Sequence, residues 1–286
     1  MNYMFSDGIK VRYRIVAAGD QASLRGMRER VQALPWILPI LVLLTTSSSV
    51  VGAPVKVRFA ESTTHGFLVL RNERGDVLAH GELVQAPRGP RVENRMTFRF
   101  KDGSFWEETL SFTQSKVFRL MAYHQVQKGL AFPEATDVSF DRDTGRYRAK
   151  IGDDDAAEGN VELPDDLFNG MASTLMKNLP AGTTATGHNI VFTPKPQILD
   201  TELRPEGEDR YFVGDAERTA TRYLLKMEPR GVAKVVAPII GKEPPEVRFW
   251  ISNGTAPTFV KSEGPVFVKG PSWRIELGAP GWAEKD

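Results

Sequence analysis

Between residues 95 and 112 the chain alternates apolar and polar side chains. Met96, Phe98 and Phe100 fall on one side, and Arg95, Thr97 and Arg99 fall on the other. After Lys101-Asp102-Gly103-Ser104, the residues Trp106, Leu110 and Phe112 resume the same parity. A period of two is the signature of an extended strand with one buried face, and a helix would scatter these residues around its axis. The polar, glycine-containing break has turn chemistry, so the stretch predicts an antiparallel hairpin.

The same pattern recurs along the chain. Phe67–Leu70 and Val77–Val84 flank a turn at Asn72–Asp76, and Val138–Phe140 and Tyr147–Ile151 flank one at Asp143-Thr144-Gly145. Further strands are predicted over Val117–Val126, Ile190–Phe192, Leu199–Arg204, Tyr211–Val213, Thr221–Met227, Val247–Ile251, Phe259–Glu263, Val266–Val268 and Trp273–Leu277. One stretch reads as a helix. Pro164 suits a first position, Asp165 and Asp166 suit the positive helix start, and Leu167, Met171, Leu175 and Leu179 recur every fourth residue until Pro180 and Gly182. A sheet of a dozen or so strands must curl or split. The expected fold is therefore mainly β (α+β): a large curved antiparallel sheet or half-barrel with one principal helix across its concave face. It forms a single domain over residues 54–286, with a sub-lobe division expected near 181–198, where Gly/Thr-rich and Pro-containing linkers fall.

Residues 1–53 read as a targeting segment. Met27-Arg28-Glu29-Arg30 is a positive start, Ala33–Leu44 is a twelve-residue apolar run, and Thr45–Ala53 is a small-residue exit. That order defines a secretory signal beginning at about Met27. The alternative is an uncleaved anchor, because Ala33–Ala53 spans 21 residues, about the length that crosses a bilayer. Pro35, Pro39 and the Thr/Ser stretch argue against it. Either reading places the remaining chain outside the cytoplasm: exported and periplasmic, or anchored in the inner membrane and facing the periplasm.

With 37 basic and 36 acidic residues the net charge is +1, which gives no case for a nucleic-acid partner. The absence of cysteine excludes disulfides, thiol catalysis and thiolate metal sites. The histidines His65, His80, His124 and His188 form no paired metal-ligand spacing, so no metal and no cofactor is expected. His124, between Tyr123 and Gln125, is the one weak catalytic candidate. Asp141-x-Asp143-x-Gly145 has the opening of a calcium loop, but Tyr147 and Arg148 stand where further ligands belong, so a hairpin turn explains it. Asp153-Asp154-Asp155 reads as a solvated loop. No GxSxG elbow is present, and Glu107 and Glu108 face opposite sides of a strand. Gly231–Gly241 (GVAKVVAPIIG) concentrates Val235, Ile239 and other apolar residues between glycines, as core or as a flap over an apolar cavity.

Phe105–Gln114 (FWEETLSFTQ), Val117–Pro133 (VFRLMAYHQVQKGLAFP), Leu163–Leu179, Gly231–Ile251 and Gly264–Leu277 together resemble uncharacterised exported bacterial proteins of unknown function. Through them the chain is distantly similar to the LolA/LolB-like superfamily of periplasmic lipoprotein carriers. The resemblance implies a half-barrel that holds acyl chains between a curved sheet and helices. The expected function is thus a non-enzymatic carrier or binding protein for a lipophilic or cell-envelope ligand, working near the membrane. Trp106, Phe112, Leu167, Met171, Leu175, Val235 and Ile239 would line the ligand site. An envelope assembly or interaction module with a packed core is the alternative, and a hydrolase or lyase with scattered catalytic residues is the third.

Overall fold

The computed structural model describes residues 52–193, 195–230, 246–267 and 270–278, all within the compact unit Ser48–Asp286. The export signal, apart from Gly52 and Ala53, and the Gly231–Gly241 segment lie outside the described residues. Among the described residues no helix is long and apolar enough to cross a membrane.

Among the described residues fourteen strands form one sheet. They are β1 Thr64–Arg71, β2 Val77–Arg88, β3 Arg91–Phe100, β4 Phe105–Gln114, β5 Phe118–Lys128, β6 Thr136–Asp141, β7 Arg146–Ile151 and β8 Ala157–Asn160. After one helix, α1 Ala172–Asn178, follow β9 Ala185–Phe192, β10 Pro196–Val213, β11 Ala216–Pro229, β12 Val247–Ser252, β13 Phe259–Gly264 and β14 Trp273–Gly278. The order across the sheet is β8-β7-β6-β5-β4-β3-β2-β1-β14-β13-β12-β11-β10-β9, with every neighbouring pair antiparallel. Consecutive hairpins build each wing, and β1 joins the wings by pairing with β14, Phe67 opposite Gly278.

The sheet curls until its wings face one another. Phe112, Leu120 and Phe140 from one wing share a core with Leu203, Tyr223 and Leu225 from the other. At the mouth of the curl the Tyr147 and Phe192 rings lie 6.1 Å apart. Between β8 and β9 the chain fills the gap. The Phe168 amide donates to the His188 carbonyl at 2.8 Å, and the His188 amide donates to the Asp166 carbonyl at 3.0 Å. Asn169 exchanges two further bonds with the Ile190 backbone, each 2.8 Å. A bare sheet edge leaves unpaired N–H and C=O groups, and this segment satisfies them on β9.

That demand explains where the helix departs from the sequence expectation. It was expected from Pro164 to Leu179, and it occupies only Ala172–Asn178. Asp166–Asn169 are spent on the β9 edge, and Gly170, at φ 65°, turns the chain into α1. The fourfold spacing keeps its meaning for packing: Leu167, Met171, Leu175 and Leu179 are all buried. Other boundaries shift too. Leu199–Arg204 and Tyr211–Val213 belong to the single strand β10, in which Pro205 is accommodated by a bulge before Gly207. Val266 and Phe267 lie in a bend rather than a strand, with Phe267 edge-on to Phe132 and Trp273. The 181–198 stretch holds β9 and the β9–β10 turn, inside the continuous sheet. The Asp141–Gly145 loop is a hairpin turn, capped by bonds from the Thr144 amide and hydroxyl to Asp141 Oδ1 at 2.9 Å.

Candidate functional site

On β4–β7, Leu110, Tyr123, Phe140 and Tyr147 stand opposite one another and turn inward to the core. Strand alternation therefore sends their neighbours outward, where they border an open cleft of about 500 Å³. Thr109, Ser111, Ala122 and Ser139 give it a small-residue floor, and Glu93, His124, Asp141, Arg146, Arg148 and Glu158 stand around it. Small residues on the floor leave room between the larger side chains around them.

His124 sits between its cross-strand neighbours Thr109 and Ser139. Its Nε2 lies 2.9 Å from Asp137 Oδ1, and Arg148 reaches the other carboxylate oxygen at 3.3 Å and Glu158 at 3.3 Å. Asp137 thus fixes the imidazole and the guanidinium side by side, with His124 about half exposed. Among the described residues no hydroxyl hydrogen-bonds to the ring, so these residues present a donor or acceptor to a ligand and no nucleophile–base pair.

The inner face holds a polar pair that the sequence reading passed over. Glu108 lies on the inner side with Trp106, Leu110 and Phe112, and the Tyr123 hydroxyl donates to its Oε2 at 2.9 Å. Part of Glu108 keeps contact with solvent, but burial of the carboxyl dominates and pushes it up to about 7, while the Tyr123 bond acts in the opposite sense. Burial and the adjacent carboxylate push the Tyr123 phenol well up.

A second polar set marks the seam. His188 Nδ1 is 2.6 Å from Asp166 Oδ1, and Nε2 is 3.6 Å from Asp200 Oδ1. Both ring nitrogens are thereby engaged, and Asp200 is also taken by Arg230 at 3.1 Å. Among the described residues no group of three His, Asp or Glu side chains is placed to hold a metal ion.

Of the residues expected to line an apolar site, four share one core and Trp106 lies apart from them. Phe112, Leu167, Met171 and Leu175 belong to the core between the wings, with exposures of 0%, 3%, 1% and 2%. Trp106 packs in a separate cluster with Phe98, Phe100, Phe132 and Trp273. Val235 and Ile239 lie outside the described residues.

No protein-family model matches the chain, and no curated protein matches it. Among solved structures it is similar to the crystal structure of a β-barrel-like protein of the domain of unknown function DUF1849 from Brucella abortus. The TM-score is 0.46 and the identity 8%, over 76% of this chain and 96% of that one.

Proposed function

We propose that the protein is an exported, non-enzymatic interaction module of the cell envelope, which binds its partner on the outside of the barrel, at the cleft around His124. The packing of Met171 and Leu175 at 1% and 2% exposure carries this reading, because a carrier needs space where these side chains stand. The outer cleft supplies the alternative place, with a floor of small side chains and charged groups of both signs around it. Arg146 also lines it and has no ion-pair partner among the described residues. Its guanidinium and the His124 imidazole suit an acceptor-bearing ligand, such as an extended polar segment laid across the strands.

The test has two arms. Protein isolated from its own envelope is extracted and weighed by native mass spectrometry, with no acyl chain expected at stoichiometric amount. A photo-crosslinking amino acid is then placed at Ser139 in the cleft floor, and in a second strain at Asp154 in an exposed loop. Capture of one partner from Ser139 and none from Asp154 supports the reading. Stoichiometric lipid, or equal capture from both positions, sinks it.

A further inference from the structure

β10 and β11 outrun the rest of the sheet. β9 accompanies β10 only as far as Leu203, and β12 accompanies β11 only from Ala220 to Leu225. The β10–β11 ladder nevertheless continues to Val213 opposite Ala216. Arg210–Val213 and Ala216–Thr219 therefore form a two-stranded arm beyond its neighbours, closed by Gly214 and Asp215. Two isolated strands gain little stability by themselves, and this pair carries bare apolar residues at its tip, with Phe212 66% and Val213 62% exposed.

A complementary feature lies at the other end of the strands. The turns after β1 and after β3 leave the opposite end of this antiparallel sheet from the β10–β11 turn. There they border an open cleft of about 540 Å³ whose apolar walls include Leu78, Phe100, Ala131 and Trp273. Leu130, 90% exposed, precedes Ala131 in the same loop. Arg74, Lys101 and Glu73 also line this cleft and have no ion-pair partner among the described residues, as is true of Asp215 and Arg218 on the arm.

We propose that a second copy of this chain covers both surfaces, the Phe212–Val213 tip of one copy seating head to tail in the Phe100–Trp273 cleft of the next. The cleft is large enough for both side chains. The cleft carries two charges of each sign, Arg74 and Lys101 with Glu73 and Asp102, so Asp215 and Arg218 of the arriving tip can each meet an opposite charge. A membrane fits less well, because Arg210 and Arg218 are balanced by Asp215 and Glu217 and leave no net attraction to anionic lipid. The contact joins two different surfaces, so each added copy leaves a free tip and a free cleft, and assembly is open-ended.

Sedimentation velocity of the protein purified from its envelope, up to about 1 mM as suits so small a contact, tests this. The average mass is expected to rise past the dimer with concentration. Phe212→Asp and Ala131→Arg each stay monomeric while melting cooperatively. Mixed together they form a one-to-one dimer and nothing larger, because one retains the tip and the other the cleft. Asp215→Lys, which unfolds nothing, weakens association about tenfold. A wild-type monomer at every concentration overturns the proposal, as do association by Phe212→Asp and a mixture that stays monomeric. Tip-dependent binding to phosphatidylglycerol vesicles without self-association overturns it in favour of a membrane.

Discussion

The Tyr123 hydroxyl donates a 2.9 Å hydrogen bond to Glu108, and among the described residues no cation contributes to holding that carboxylate on the inner face of the sheet. A carboxylate without a positive partner is stable in such a place chiefly as the neutral acid, and its pKa of about 7 expresses this.

Because the folded-state value lies above the ordinary 4.5, the folded protein holds this proton more tightly than the unfolded chain does. The contribution of Glu108 to stability is then greatest below about pH 4.5, falls through the window up to about pH 7, and is level above it. The full change is at most about 3 kcal/mol. Urea unfolding of wild type and Glu108→Gln from pH 4 to 8 checks it. The difference between the two curves should follow that window, and parallel curves would show that the carboxylate is well solvated.

Gly170 approaches the same carboxylate. A Cβ there would lie 2.9 Å from Glu108 Oε1, would clash harder with Leu110, and would sit on a backbone at φ 65°. Gly170→Ala should cost about 2–4 kcal/mol. Gly182→Ala, at φ 71° with open space around it, should cost only about 1 kcal/mol. Equal losses in chemical denaturation would remove the close approach as the cause.

Leu175 is 2% exposed in the core under α1. Leu175→Ala should destabilise by about 2–5 kcal/mol and leave a dry apolar void. Wild type is expected not to bind a fluorescent fatty acyl probe, whereas the variant takes up a small apolar probe such as benzene. Saturable uptake of the acyl probe by wild type would show that the helix yields to ligand.

His124 is about half exposed in its pair with Asp137. His124→Ala should therefore change stability by less than about 0.5 kcal/mol at neutral pH. The same substitution should reduce crosslinking from Ser139 to the partner. A large loss of stability would mean that the ring holds the sheet rather than the ligand.

Much of the sheet was legible because its signal is local. The parity of Met96, Phe98, Phe100, Trp106, Leu110 and Phe112 survives unchanged in β3 and β4, since one buried face dictates it. The helix was overextended because Asp166–Asn169 answer to β9, a partner that periodicity within the segment cannot reveal. β8 was missed, as Ala157–Asn160 contains no large apolar residue and is a strand only through its pairing with β7. Glu108 could have been found: its parity with Trp106 and Leu110 already assigns it to the buried side. The outer cleft had no such signal. Its floor is defined by side chains too small to fill a space that six separate strands border.

The pairing of β1 with β14 has a consequence for how the chain reaches its structure. Phe67 and Gly278 adjoin in the sheet, yet nearly the whole domain lies between them in sequence. Each wing can grow hairpin by hairpin through local closures, but the join must wait for the last strand. Until β14 arrives, β1 is an open edge with Leu68 and Leu70 uncovered on that side. A chain that emerges from its N-terminus therefore passes through a half-built state with exposed edges, prone to pair with the wrong strand. Completion is fixed by the arrival of the C-terminal strand, and removing β14 would leave two wings with no strand to join them.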